Sequence, residues 1–177
     1  DAPTPVFLGR DSYGFVNWLA TALAAAPHGR VVDIGAGAGV GGITVARLHG
    51  AAEVLLTDVN QLALRYSRIN AAHAGVSVTF QQTSILDDVP SDIGTVLANP
   101  PYMAASTQVY RAGGDMHGGQ VSLDWARAAL RKLKPGGQLL LYTGSAILDG
   151  GVDPLRAALQ RLAQEHGASL AYQEIDP

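Results

Sequence analysis

Apolar runs of strand length alternate with segments of helical period along this chain, and the alternation predicts an α/β fold: a doubly wound, mostly parallel sheet with helices on both faces. Three observations carry that expectation. The runs Val31-Val32-Asp33-Ile34 and Thr95-Val96-Leu97-Ala98 are almost wholly apolar, as strands covered on both faces must be. The first run opens into the glycine turn Gly35-Ala36-Gly37-Ala38-Gly39. The second opens into Asn99-Pro100-Pro101-Tyr102, at the carboxyl end of a strand, where open α/β sheets bind ligands.

The elements follow in order. Residues 1–13 hold Pro3, Pro5 and Gly9 and read as an extended lead-in, with Asp11 or Ser12 placed to cap the next helix. From Gly14 to Ala26 the apolar positions Phe15, Val16, Leu19 and Leu23 recur at helical spacing, and Pro27 closes the segment. Arg30 to Ile34 is a strand, and Ile43, Val45, Ala46 and Leu48 mark the helix after the glycine turn. The unit repeats as strand Glu53 to Asp58, helix Gln61 to Ala74 and strand Ser77 to Thr83. Beyond the polar stretch from Asp87 to Asp92 come strand Thr95 to Ala98, a long connection, and helix Val121 to Lys134. Pro135-Gly136-Gly137 is a stop, followed by strand Gln138 to Thr143, helix Pro154 to His166 and a sixth strand, Ser169 to Ile175. The connection over 103–120 is far longer than the usual 2–6 residues, and its glycine-rich run from Gly113 to Gly119 predicts a substrate-binding lid.

Composition narrows the function classes. A chain of 177 residues, 47% hydrophobic, is about one domain, taken as residues 1–177. A net charge of -3 argues against a protein held on nucleic acid by phosphate contacts along a whole face. With no cysteine there is no disulfide, thiolate metal site or cysteine nucleophile, and the five histidines lack ligand spacing, so no metal is expected. Neither a membrane span nor a signal segment is present, which predicts a cytoplasmic protein. The first residue is Asp1, so the chain reads as a piece of a longer one.

The glycine turn sets up a nucleotide-type site. Glycines let the backbone approach a ligand closely, and the following helix offers free N–H groups. Gly37-Ala38-Gly39-Val40-Gly41-Gly42 also fits the dinucleotide fingerprint, so a nicotinamide cofactor stands as one alternative. Asp58 ends the second strand, where a carboxylate can accept both ribose hydroxyls of either cofactor. Val59 and Asn60 follow it and are placed to flank an adenine. At the fourth strand, an amide side chain, two prolines without N–H groups and an aromatic ring offer acceptors and a flat wall, which suits a planar NH2 group.

Together, Asp33 to Gly39, Asp58, Asn99 to Tyr102 and Leu133 to Gly137 resemble the small-domain class of S-adenosylmethionine-dependent methyltransferases, which includes release-factor glutamine and ribosomal-RNA guanine-N2 methyltransferases. The resemblance runs over about residues 6–175. It implies a Rossmann-like sheet of seven strands, the last antiparallel and paired with the sixth, and here the seventh is expected to be truncated. It implies that Asp33 helps to hold the methionine end of the donor, with Gly35, Ala36, Gly37, Gly39, Asp58 and Val59 around the remainder. Where the family usually has an Asp near the adenine amine this chain has Ser84, and the Ile85 N–H is placed to read the adenine edge. Asn99 is placed at the donor as well as the acceptor. The implied reaction is N-methylation of a protein glutamine amide or a nucleobase exocyclic amine, with Asn99 and Pro100 accepting the two N–H bonds and Tyr102 packing on the flat group. The alternatives are a nicotinamide-dependent oxidoreductase and a nucleoside-binding module without turnover.

Overall fold

The structure, a computed structural model, describes residues 6, 8–23, 27, 29–50, 53–104 and 112–175. Five parallel strands form one sheet: β1 (Val31–Ile34), β2 (Val54–Asp58), β3 (Thr79–Gln82), β4 (Ile93–Ala98) and β5 (Leu133–Leu141). Five α-helices accompany them: α1 (Arg10–Ala22), α2 (Val40–Leu48), α3 (Gln61–Ala74), α4 (Gln120–Lys132) and α5 (Pro154–Glu165). The order across the sheet is β3-β2-β1-β4-β5, so the winding reverses between β1 and β4. That reversal parts the two following loops and leaves a crevice between them. Ile34 pairs with Ala98, so Gly35 and Asn99 leave the sheet side by side.

Strand alternation sorts the core into two faces. Val31 and Leu97 point to one side, where they meet Phe15 and Leu19 of α1, Val45 and Ala46 of α2, and Val54 and Leu56. Val32, Ile34 and Val96 point to the other, against Leu86, Val89 and Ala129 of α4. There α5 packs on α4 through Leu123, Ala126, Leu155, Leu159 and Leu162. The doubly wound expectation holds, with α4 and α5 together on the second face. No described helix is long and apolar enough to cross a membrane.

Three differences from the sequence reading change the local structure. The first helix starts at Arg10, so Asp11 and Ser12 lie in its first turn. There the Ser12 hydroxyl accepts the Gly9 N–H at 3.3 Å instead of capping from outside. The expected end of that helix, residues 24–26, lies outside the described residues. At the other join α4 stops at Lys132 and Leu133 already pairs with Ile93. The ladder then jumps to Thr95 opposite Gln138, so Pro135-Gly136-Gly137 bulges out within β5. Proline has no N–H to give the ladder, and Gly136 takes a φ of +75°, which is why the stop becomes a bulge.

The third difference is the expected strand Ser169 to Ile175, which is not paired into the sheet. No seventh strand is present among the described residues to pair with it. The segment is instead tied to the start of α5: the Tyr172 hydroxyl donates to Asp153 Oδ2 at 2.5 Å, while Asp153 Oδ1 caps the Arg156 N–H at 2.9 Å and accepts from Ser145 at 2.6 Å. These bonds hold the Asp153 carboxylate below its usual pKa against its partial burial, and burial with that bond pushes the Tyr172 phenol up to about 12.

Candidate active site

A cleft of about 510 Å³ lies along the carboxyl ends of β1, β2 and β4, at the reversal of the winding. Its floor is the turn after β1, where Gly35, Gly37 and Gly39 have φ of +59°, +58° and +85°. Any side chain there would be strained, so glycine is required for the turn to coil so tightly. Hydrogen bonds fix it from two directions. The Gly37 N–H donates to Asp58 Oδ2 at 2.9 Å, and the other Asp58 oxygen accepts the Asn60 N–H at 2.8 Å. From α3, Ser67 donates to the Gly37 carbonyl at 2.8 Å and Asn70 Nδ2 to the Ala38 carbonyl at 2.9 Å.

Asp33 is 2% exposed, and its Oδ2 accepts the Gly42 N–H at 2.7 Å. It therefore caps α2 as well as bordering the cleft. Burial pushes its pKa up to about 7; the Gly42 N–H opposes that shift and the neighbouring Asp58 adds to it. Gly41 and Gly42, the tail of the dinucleotide-like fingerprint, are buried inside α2. A Cβ on Gly42 would come within 2.9 Å of Leu56 Cδ1, and one on Gly41 within 2.7 Å of Phe15. Gly42 serves close packing of helix on sheet, while Gly41 packs against α1 and borders the cleft.

The tetrapeptide closes the other half of the cleft. Asn99 is half-buried, Pro100 is buried, and the Tyr102 ring rests on Gly144, where a Cβ would stand 2.8 Å from Cε2 and 3.1 Å from Cγ. The chain beyond pairs back on itself. Met103 bridges Ala112, the Gly113 N–H donates to the Met103 carbonyl at 3.0 Å, and a Cβ on Gly118 would come within 2.9 Å of the Ala104 nitrogen. The described part of the predicted lid is thus a brace behind Tyr102, and residues 105–111 lie outside the described residues.

Of the predicted residues, Asp33, Gly35, Ala36, Gly37, Asp58, Val59, Ile85, Asn99, Pro100 and Tyr102 border this one cleft. Gly39 lies beneath the turn, packed on Ile43, Leu56 and Ser67. Ser84 is exposed and outside the lining, while Thr83 and Ile85 on either side of it face in. Ile85 does so with a φ of +50°, a costly conformation for a β-branched residue. Phe15 and Trp125 also border the cleft, and sequence reasoning did not single them out. Phe15 carried a signal only as a core position of α1, and Trp125 carried none.

Chemically the cleft is one-sided. The charged residues of its described lining are Asp11, Asp33 and Asp58, with no cation, and Val59, Ala63 and Ile85 supply aliphatic surface. Two carboxylates beside a glycine turn, with aliphatic side chains next to them, fit a nucleoside whose substituent carries an ammonium group.

Comparison with known proteins agrees. A family model described as methyltransferase small domain matches residues 15–148. A ribosomal RNA small subunit methyltransferase C from Hahella chejuensis is 30% identical over 139 residues, which is 75% of this chain and 38% of the relative. A release factor glutamine methyltransferase from Cereibacter sphaeroides is 33% identical over 72% of this chain and 51% of the relative. The chain therefore spans between about a third and a half of these relatives. Among solved structures, TrmN from Thermus thermophilus has a TM-score of 0.61 at 26% identity, covering 83% of this chain and 40% of that one. A ribosomal protein methylase from Lactobacillus delbrueckii subsp. bulgaricus shares the fold, with a TM-score of 0.64 at 23% identity over 90% of this chain and 70% of its own.

Proposed function

The chain belongs to the methyltransferase small domain family, whose methyl donor is S-adenosylmethionine, and on that premise we propose that it methylates the nitrogen of a planar NH2 acceptor, a protein glutamine amide or a nucleobase exocyclic amine. The observation that carries the reading is the meeting of the Gly35 to Gly39 turn and the Asn99 to Tyr102 segment in one cleft at the reversal of the winding. The relatives' names point to ribosomal RNA and to a release-factor glutamine as the kinds of acceptor.

When bound, the donor supplies a methyl group on a sulfonium, an electrophile that needs an aligned nitrogen more than a strong base. Asp58 takes the ribose hydroxyls, keeping the second lone pair of each oxygen for its backbone bonds to Gly37 and Asn60. Asp33, Val59 and Ile85 all line the cleft; Asp33 would hold the amino-acid end, and Val59 and Ile85 would flank the adenine. On the acceptor side, the Asn99 amide oxygen and the Pro100 carbonyl accept the two N–H bonds. An amide or aniline-like nitrogen delocalises its lone pair; holding both hydrogens in fixed directions favours a tetrahedral nitrogen whose lone pair points at the methyl group. Those two bonds strengthen as positive charge grows on nitrogen, so they act on turnover more than on affinity. Tyr102, held against Gly144, packs on the flat group and excludes water.

Labelled donor offered with ribosomal RNA, DNA and release-factor protein in separate reactions tests this. Label recovered on nitrogen, in RNA or in a glutamine amide, is the expected outcome; label on oxygen or carbon, or in none of the three, contradicts it.

A further inference from the structure

The acceptor and donor halves of the cleft share one wall that no motif marks. Trp125 of α4 borders the cleft, and its ring reaches the glycine turn. A Cβ on Gly35 would strike Cη2, with Cζ3 and Cζ2 farther off at 3.1 and 3.3 Å. The ring thus meets the turn by the far end of its six-membered ring. Because Ile34 pairs with Ala98, this contact stands beside the exit of Asn99, where donor and acceptor must meet. Trp125 also packs against the second-face core, yet it is only partly buried, unlike Ala126 and Ala129 of the same helix.

The charged groups of the described lining are all carboxylates, Asp11, Asp33 and Asp58, so the cleft favours positive ligands. Indole is the strongest of the aromatic side chains at binding a cation over its face. We infer that Trp125 is a donor-site residue that makes the cleft prefer the positively charged sulfonium donor to its neutral thioether product. The inference rests on the reading of this cleft as the donor site.

Titration calorimetry with S-adenosylmethionine and S-adenosylhomocysteine separates the two ideas. In Trp125→Leu the donor is expected to weaken about fivefold more than the product does, with Trp125→Phe in between. Equal weakening of both ligands, or no change in either, overturns the inference while leaving the donor site in place. If the wild-type chain binds neither, the donor reading itself falls. A second measurement keeps Trp125 intact. The chain has two tryptophans, so Trp18→Phe leaves Trp125 as the sole indole emitter. Its fluorescence is expected to change more on saturation with the donor than with the product. An emission indifferent to both overturns the inference even where the Leu variant fails to fold.

Discussion

At Asp33 folding and the proposed donor role make opposite demands on one carboxyl group. Folding buries it and raises its pKa from 3.8 to about 7, so across that window the folded chain holds a proton that the unfolded chain has released. Stability from that proton is full below about pH 4 and is lost as the pH climbs through about 7. Asp33→Asn keeps an acceptor for the Gly42 N–H and removes the titration. Its melting temperature should exceed that of the wild type by about 5 °C or more at pH 8 and by much less at pH 5; an equal difference at both pH values would contradict the buried-acid account. On the proposed reading a donor ammonium beside Asp33 would favour the charged form that folding disfavours, so the same variant should bind the donor less tightly. Residues of this kind were legible in the sequence because they lie on contiguous motifs at strand ends. Trp125 and Phe15 were not, because only tertiary packing brings a helix position to the cleft, and Ser84 lies outside a lining that Thr83 and Ile85 on either side of it border.

Elements around the cleft hold it in shape through contacts from residues outside its lining. Helix α3 reaches the glycine turn through Ser67 and Asn70, and Ser67 is wholly buried. Ser67→Ala leaves the Gly37 carbonyl without that partner and should cost about 1 kcal/mol of stability. It should also weaken donor binding severalfold, measured by calorimetry; unchanged affinity would show that the turn holds itself. On the acceptor side, Gly144→Ala pushes a methyl group into the Tyr102 ring. It should lower kcat at least tenfold with little change in donor affinity. A variant with normal kcat would remove Tyr102 placement from the mechanism. Helix and strand existence was legible here because the periods are strong, but boundaries were less so. The join of α4 to β5 hides its bulge, since only pairing with Ile93 reveals that Leu133 is already strand.

Over the whole molecule, the order β3-β2-β1-β4-β5 brings Gly35 and Asn99 together, although the chain separates them by two complete strand-helix units. The alternation of elements made a parallel, doubly wound sheet legible, while the order of its strands came from the structure. The course of the segment over 169–175 was not legible, since its fate depends on a strand partner and not on its own residues. That segment is tied to α5 through Tyr172 and Asp153, neither of which lines the cleft. Tyr172→Phe should therefore lower stability by about 1 kcal/mol and leave donor affinity unchanged. The central claim is that one cleft holds the donor by its glycine turn and aligns the acceptor nitrogen by Asn99. It is tested most directly by Asn99→Ala, with donor affinity measured by calorimetry and methyl transfer by label uptake into the acceptor class the wild type prefers. The account predicts donor affinity within about twofold of wild type and transfer reduced at least a hundredfold, about 2.7 kcal/mol of transition-state stabilisation. Transfer at the wild-type rate would contradict it.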